Sequence, residues 1–377
     1  MVVLPVSDNA VPPRAGIAAR RAGAHNRRVV MSRSLSMQPD GRNGPRVNAG
    51  QLVATVVAGQ IAHPVGQASA YRIGYDGVAR VLPGTGGIAL NKRIGDLCVG
   101  LAGDHVEPGV ALHNNGREVT GPRDGPNNAL ITSACVGNLA RVISGPCSGK
   151  IGLVTGKHGG VNHVLVDFPS EVLMQLRIGD RVQIVAHGLG LRLPDCARVE
   201  VLNCAPRLLR RWGIVARDGR LHVPVTHLVP ARLMGSGLGK NTAWRGDYDI
   251  QLADRLTRER YRLGSLRFGD MVAITDADTR RGPLYRAGRV TIGVIVHGDS
   301  TVSGHGPGVT PLLTGPADVL MPVHEPQANL AEIFGIRRAV PPRQRPTLAE
   351  IDCRRRRVLR EQPARLAFGA VGRSVVE

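Results

Sequence analysis

Aromatic residues are scarce in this chain: Phe, Trp and Tyr together make up 3% of its 377 residues. Proteins that bind single-stranded nucleic acid stack bases on such side chains, so this scarcity argues against a stacking platform. The apolar fraction is ordinary at 42%, while Gly and Pro are frequent, with 48 and 26 residues. This composition is typical of short strands joined by turns. We therefore expect a mainly β protein of the β-rich α+β type, with few short helices.

Long apolar runs and paired cysteines are also missing. No run of 18 apolar residues occurs in the sequence, which excludes a membrane-spanning helix. The six cysteines show no two-residue spacing, so they predict reduced, buried thiols rather than a zinc knuckle or a disulfide framework. The N-terminus lacks the coherent apolar core of a secretory signal. These absences predict a cytoplasmic protein.

The net charge of +20 is concentrated at the two ends of the sequence. Residues 1–50 contain eight Arg and two Asp, and residues 337–377 contain eleven Arg and four acidic residues. Basic ends of this kind are either solvated extensions or binding segments for nucleic acid. We expect residues 1–48 to be a disordered basic extension and residues 337–377 to be an Arg-rich, partly helical one. Nucleic acid stays open as a partner of both.

Three modules are predicted between these extensions. Residues 49–140 and 206–336 alternate short β-branched runs with Gly, Pro and Asp turns, which predicts a β-rich module in each. Residues 141–205 include a strand, a glycine-bearing loop and a second strand that resemble the start of SH3-like barrels in ribosomal and transcription-elongation proteins. The spacing of Gly145, Gly149 and Gly152 fits that motif. We therefore expect small barrels, one of them SH3-like.

Helical patterns are short. They favour helices at residues 170–176, 206–212, 327–334 and 348–362. Residues 128–139 suit either a helix or a strand, and the sequence leaves this choice open.

Histidines and acidic residues recur beside glycine in tight turns. A side chain on such a turn can be presented to a ligand, because loops carry polar groups that a packed core cannot satisfy. We interpret these turns as one composite site, located largely in residues 206–336. The turns carry Asp104 and His105, His158, Asp247 and Asp249, Asp276 and Asp278, and His305.

A divalent metal ion is the cofactor that these residue types predict. Such an ion requires imidazole nitrogen and carboxylate oxygen from different loops, often three ligands with one open position. Asp247 and Asp249 are two residues apart and share a face of an extended segment, as do Asp276 and Asp278. A pair of this kind holds a metal, divides base and acid roles, or simply accepts backbone N–H bonds. We predict metal ligation by Asp247, His158, His227 and Asp278.

His305 is the strongest catalytic candidate. Glycines on both sides allow close approach to a ligand, and Pro307 restricts the loop. Asp104 and His105 are adjacent, so in a strand they would face opposite sides and one of them would contact the ligand directly. We predict catalytic roles for His305, Asp104, His105 and Asp249. His297 follows an apolar run and is interpreted as a strand end.

Residues 235–241 form a glycine-rich loop. The loop fails the nucleotide-binding pattern, since Met234 stands where the first glycine is required and Asn241 where a hydroxyl is required. A backbone anion site formed by Gly237 and Gly239 with Lys240 remains an alternative for a carboxylate or phosphate group.

Read together, the glycine turns resemble the bacterial and archaeal family known as domain of unknown function 4438. The resemblance implies a compact β-rich fold and brings no established activity. It is carried by AGDHVEPGV (102–110), VTGKHGG (154–160), HVLVDF (163–168), VTHLVPA (225–231), MGSGLGKN (234–241), RGDYDIQ (245–251), VTIGVIVH (290–297) and GHGPGV (304–309).

Two functions follow from the residues. The first is a metal-dependent, amidase-like hydrolase that acts on a small polar substrate through an Asp/His pocket. The second is a nucleic-acid- or ribosome-associated protein that uses the SH3-like module and the basic ends, and would show steeply salt-dependent binding. The modest charge of the middle segment and its few aromatics favour the enzyme. A homo-oligomer is compatible with either.

Overall fold

Strands dominate the computed structural model, which describes residues 44–65, 71–117 and 124–339. The expected mainly β class with few short helices is confirmed. Most of the two basic extensions, residues 1–43 and 340–377, lies outside the described residues, and so does the helix expected at 348–362. Among the described residues, no helix has the length and apolar character needed to cross a membrane.

The described strands are short, and most have two to nine residues. In chain order they are β1 Thr55–Ile61, β2 Arg72–Ile73, β3 Ala79–Arg80, β4 Ile88–Ala89, β5 Gly109–His113, β6 Leu139–Val142, β7 Ile151–His158, β8 His163–Asp167, β9 Arg181–Ala186, β10 Glu200–Val201, β11 Val215–Arg217, β12 Arg220–Val225, β13 His227–Pro230, β14 Tyr248–Asp249, β15 Met271–Asp278, β16 Leu284–Ile295, β17 Gly308–Pro316 and β18 Leu320–His324. The helices are α1 Gly125–Ser133, α2 Ser170–Leu173, α3 Pro206–Arg211, α4 Arg255–Arg260 and α5 Leu330–Ile333.

A closed six-stranded antiparallel barrel forms the first half of the fold. Its strands follow the order β1-β9-β6-β7-β8-β5, and β1 also pairs with β5, which closes the ring. Strand β9 alternates buried and less buried residues, as expected when one face of a strand lines a core. Leu112, Val164, Val166, Phe168 and Ile184 fill the interior.

The barrel combines strands from two of the predicted modules. Residues 141–205 contribute β7, β8 and β9, as the glycine motif indicates, but closure requires β1 and β5 from residues 49–140. The closing pairs, such as Thr55 with Ala186, are far apart in sequence. A local motif cannot reveal them, so the barrel crosses the boundary expected at residue 140.

A second sheet packs beside the barrel. Its order is β10-β17-β16-β15-β13, with β14 also paired to β17. The two sheets share one hydrophobic core that includes Leu153 and Leu165 from the barrel and Ile292 and Leu313 from the second sheet. Strand β4 pairs with β5 at the edge of the barrel sheet, and a small sheet β11-β12-β18 and the hairpin β2-β3 complete the described strands.

Strands β7 and β17 connect the two sheets closely. Thr310 Oγ1 donates to the carbonyl oxygen of Lys157 at 3.0 Å and accepts from its N–H at 3.2 Å. A Cβ at Gly156 would overlap Val296, so glycine is needed for this approach. The contact places the end of β7 beside the ends of β16 and β17.

The helices begin close to their predicted positions. Three of the expected segments occur as α2, α3 and α5, and α4 had no predicted counterpart. Residues 128–139, for which the sequence left helix or strand open, contain part of each: α1 ends at Ser133, and β6 begins at Leu139.

Candidate metal centre

Chain segments from both sheets converge where the barrel meets the second sheet. The barrel contributes the turn before β5 and the end of β7. The second sheet contributes β14, the residues after β16 and the loop before β17. Together they bring four imidazoles and two carboxylates into one cluster, consisting of His105, His158, Asp247, Asp249, His297 and His305.

The first group of possible ligands is His158, Asp247 and His297, whose ligand atoms lie within 4.8 Å of one another. Asp247 Oδ2 is 2.8 Å from His297 Nε2. The other oxygen, Oδ1, accepts the N–H of Gly159 at 2.8 Å. All three side chains are at least nine-tenths buried.

Two atoms of the first group have no hydrogen-bond partner among the residues that the structure describes. Asp247 Oδ2 and His297 Nε2 are both buried, and their short contact does not have hydrogen-bond geometry. His297 Nδ1 lies 3.0 Å from the carbonyl oxygen of Gly298. Because a carbonyl only accepts, Nδ1 carries a proton, and in the neutral ring Nε2 presents a lone pair to the carboxylate. Two facing acceptors in a buried site are satisfied by a proton or a metal cation between them.

Glycine provides the space around this pair. A Cβ at position 308 would overlap both Asp247 Oδ2 and His297 Nε2. Gly159 and Gly246 pass each other so closely that a Cβ on either would lie within 3 Å of the other's Cα. The glycine turns therefore let the two sheets approach each other around the polar cluster.

The second group is His105, Asp249 and His305. His305 Nδ1 is 3.1 Å from Asp249 Oδ2 and 3.0 Å from His105 Nε2. The side chain of His305 is 33% exposed, whereas those of His105 and Asp249 are at most 8% exposed. The cluster is therefore reached from solvent at His305.

Asp249 joins the two groups. Its Oδ1 is 3.4 Å from His297 Nε2, while its Oδ2 faces His305 and His105. The ring centroids of His105 and His297 are 5.1 Å apart, and those of His158 and His297 are 4.3 Å apart. The two groups thus form one continuous centre.

Buried carboxylates orient two of the imidazoles from behind. Glu107 Oε1 is 2.6 Å from His158 Nδ1, and Glu107 also contacts His163 Nδ1 at 3.1 Å. Asp104 Oδ1 is 2.9 Å from His105 Nδ1 and accepts a hydrogen bond from Ser300 Oγ at 2.6 Å. In both pairs the carboxylate accepts from Nδ1–H and leaves Nε2 facing the centre. This arrangement is common behind metal-bound histidines.

Electrostatics hold these carboxylates ionised. Burial opposes the charge of Glu107, but hydrogen bonds from His158 and His163 keep its pKa well below the usual range. For Asp104, burial is likewise outweighed by His105, Ser300 and Arg72, and the pKa falls to about 2.

The pKa values of two imidazoles in the cluster are raised. Burial opposes a charge on His297, yet Asp247 and Asp249 raise its pKa well above the usual value. The pKa of His105 is also raised, since Asp104 and Asp249 outweigh burial and the nearby His297. Without a metal ion, the carboxylates therefore draw protons onto the imidazoles that they face.

His105 has an unusual backbone conformation. Asp104 and His105 lie in a turn rather than in the strand expected from the sequence, and His105 has a φ of 53°. This left-handed conformation is costly for a side chain with a Cβ. It lets both residues contribute to one network, with His105 facing the centre and Asp104 behind it.

The loop that carries His305 is shaped by glycine. Gly304 has a φ of 79°, and the N–H of His305 donates to Val302 O at 3.0 Å. A Cβ at Gly306 would overlap the carbonyl oxygen of Ile250. The loop can therefore lie directly against the segment that follows β14.

Two sequence-predicted ligands lie outside the cluster. His227 contacts Thr226 Oγ1 at 2.9 Å and Ser265 Oγ at 3.1 Å. Asp278 is surrounded by arginines, with Arg280, Arg286 and Arg289 between 2.8 and 3.5 Å from Oδ2. Asp278 also does not pair with Asp276, which accepts from the N–H of Gly288 at a β-bulge.

The glycine-rich loop lies behind the centre. Its N–H groups are largely committed to protein carbonyls: Gly235 donates to Asp249 O and Gly239 donates to Pro283 O. A Cβ at Gly237 would come within 2.8 Å of Asp247 O. The loop thus packs against the segment that carries both aspartates, while Lys240 is exposed.

Three contributors were not selected from the sequence. His297 was interpreted as a strand end, and Glu107 and His163 received no role. All three lie in the strings that carry the family resemblance. These three residues reach the centre through contacts between strands that are distant in sequence.

The fold and the cluster define a class: a mainly β protein with a closed barrel and buried His/Asp groups that could hold metal ions. The N-terminal model of the family described as domain of unknown function (DUF4438) matches residues 71–210, and its C-terminal model matches residues 211–334. The chain belongs to this family, which confirms the resemblance seen in its sequence.

A solved structure supports the same fold. The protein described as "Crystal structure of TM1086" is 42% identical to this chain, with a TM-score of 0.71. The match covers 78% of this chain and 99% of that one. No curated protein sequence matches the chain.

Proposed function

We propose that this protein is a metal-dependent hydrolase that cleaves an amide-type bond in a small polar substrate. The observation that carries the proposal is the buried, unsatisfied contact between Asp247 Oδ2 and His297 Nε2. A divalent cation between these atoms would satisfy both.

The first group has the composition of a catalytic metal site. Two imidazole nitrogens and one carboxylate oxygen leave a coordination position for water or substrate. Glu107 behind His158 and the Gly298 carbonyl behind His297 fix the ring orientations that ligation requires. Mixed nitrogen and oxygen donors suit Zn²⁺, Fe²⁺, Mn²⁺ or Co²⁺.

A metal ion in this group would lower the pKa of a bound water and polarise a substrate carbonyl. Hydrolysis then forms a bond between the water oxygen and the carbonyl carbon and breaks the C–N bond. The proton released by the water passes to the leaving nitrogen. Substrate access would be from the side of His305, the exposed member of the cluster.

The test measures metal content and hydrolysis together. The full-length protein is stripped with a chelator, reloaded separately with Zn²⁺, Mn²⁺, Co²⁺ or Fe²⁺, and assayed against short amides with and without a neighbouring carboxylate or carbonyl group. We expect stoichiometric metal and metal-dependent amide cleavage, both lost in Asp247→Asn and retained in His222→Asn. His222 is a half-buried histidine on β12, outside both groups.

Two results would overturn the proposal. Failure of the stripped protein to take up any of the four ions would remove its basis. Stoichiometric metal without cleavage of any amide would leave a metal site but reject the amidase activity.

A further inference from the structure

We propose that the centre holds two metal ions, the second bound by His105, Asp249 and His305. This inference rests on the proposed function, because the first ion is the one assigned to His158, Asp247 and His297. It changes the roles expected for His305 and His105 from catalytic groups to metal ligands.

The second group repeats the donors of the first. Each contains two imidazole nitrogens and one carboxylate oxygen whose atoms lie within 4.8 Å of one another. His305 Nδ1 is within 3.1 Å of both Asp249 Oδ2 and His105 Nε2. A hydrogen bond between two histidines needs only two side chains. Here a third donor, from Asp249, converges on the same point from a separate segment, as a metal ion requires.

Each group also has a buried carboxylate behind one of its histidine ligands. His105 Nδ1 contacts a buried carboxylate, Asp104, just as His158 Nδ1 contacts Glu107. Asp104 is itself held by Ser300 Oγ and by Arg72 Nη1. Each group therefore has one imidazole whose tautomer leaves the Nε2 lone pair toward the centre.

Asp249 has the position of a bridging ligand. Its two oxygens face different groups, with Oδ1 toward His297 and Oδ2 toward His305. A carboxylate that bridges two cations is a recurrent feature of two-metal sites, where paired ions stabilise the attacking and leaving atoms.

The charge of the cluster is compatible with two divalent ions. Asp104, Glu107, Asp247 and Asp249 are all at most 8% exposed at their side chains. Their ion pairs within the described residues include one permanent cation, Arg72, which leaves three negative charges. One divalent ion leaves a net charge of −1 that a proton on His105 would offset, whereas two ions with one bound hydroxide make the site neutral with every imidazole free to bind metal. Buried charge that is not compensated is strongly unfavourable.

The strained backbone of His105 agrees with this role. Its φ of 53° places the ring in the cluster, and its N–H is held by Asp299 O at 3.1 Å. Strain of this kind persists where the surrounding structure imposes it and is common at functional sites.

A second metal ion also narrows the class of substrate that the centre would bind. Two ions offer positions for a carbonyl oxygen and for a second oxygen or nitrogen of the same small molecule. We infer an amide whose neighbouring atoms include a second donor, such as a carboxylate or another carbonyl group, rather than a simple aliphatic amide.

The test counts ions. The chelated full-length protein is titrated with Mn²⁺, excess ion is removed, and manganese per chain is measured by elemental analysis and by electron paramagnetic resonance. We expect two ions per chain with a spin-coupled signal in the wild type. We expect one ion and an uncoupled signal in both His105→Ala and His305→Ala, and two ions in His222→Asn.

The outcomes separate the two proposals. One ion per wild-type chain, unchanged in His305→Ala, would overturn the second ion and leave the first in place. It would leave His305 and His105 with the catalytic roles predicted from the sequence. No bound ion in the wild type would overturn both proposals. Circular dichroism of each variant establishes that a lost ion does not reflect unfolding.

Discussion

Glu107 Oε1 lies 2.6 Å from His158 Nδ1, and both side chains are almost fully buried where the barrel meets the second sheet. The same carboxylate contacts His163 and accepts the N–H of Gly86 at 2.6 Å. One acidic residue therefore joins β8, the end of β7 and the loop before β4 behind the candidate metal centre.

Glu107→Gln should weaken binding of the first ion by roughly 10- to 100-fold, because a neutral amide is a poorer acceptor behind a metal-bound histidine. Competition with a chromophoric chelator measures the change. Glu325→Gln, an exposed change outside the site, is the matched control. Equal affinities of the two variants would contradict a positioning role for Glu107.

Gly308→Ala should abolish binding of the first ion while the protein still folds. The added methyl group would occupy the space between Asp247 Oδ2 and His297 Nε2. Gly264→Ala is the control, since a Cβ there meets no atom within 4 Å. Isothermal titration with Zn²⁺ compares them, and a Gly308→Ala protein with wild-type affinity would show that the ion does not lie there.

The metal-free protein should lose stability as the pH rises from about 6.5 to 8. His105 and His297 have raised pKa values in the fold, so the folded state binds more protons than the unfolded state in this range. Their stabilisation is fully present below the unfolded pKa of about 6.5 and is lost as the pH rises through the folded pKa. Urea unfolding of chelated protein measures the slope.

The upper limit of that range is set by Lys157. Burial lowers its pKa to about 8, so above that pH the unfolded chain keeps a proton that the folded chain has lost, and the contribution of Lys157 to stability rises with pH. Metal-loaded protein should lack the loss between pH 6.5 and 8, because the ion replaces the protons. A metal-free protein whose stability rises over the same range would contradict this account.

Lys157→Met should destabilise the fold by about 1–3 kcal/mol while leaving metal content unchanged. The buried Nζ donates to Asn203 Oδ1, Trp244 O and Thr132 O, and all three would lose that donor. Adjacent residues of a strand face opposite sides, so the change should spare His158. Lys150→Met, an exposed lysine, is the control in urea unfolding and elemental analysis.

Asp278→Asn should keep the full metal content, in contrast to Asp247→Asn. Asp278 is held by three arginines, of which Arg280 donates to both of its oxygens. Elemental analysis of the two variants provides the comparison. Loss of metal from Asp278→Asn would restore Asp278 as a ligand and contradict its placement among the three arginines.

Composition and local patterns determined much of the fold. Few aromatics, many β-branched residues and frequent glycine predicted a mainly β chain, and the glycine spacing near Gly149 predicted barrel strands. These properties depend on short-range effects, namely backbone preference and alternation along a strand. The ring closure of β1 with β5 and β9 depends on pairs such as Gln60 with His113, which no local pattern contains.

The turns that carry the polar side chains were also visible in the sequence, because a glycine beside a histidine or an aspartate is a local feature. Which of those side chains meet was decided by the tertiary structure. Asp247 and Asp278 occur in similar turns, yet one faces His297 and the other faces arginines. His297 follows an apolar strand, and only the pairing of β17 with both β14 and β16 brings its Nε2 to Asp247. Sequence alone determined the residue types and the turns that present them, whereas the convergence of distant strands decided which residues form the centre.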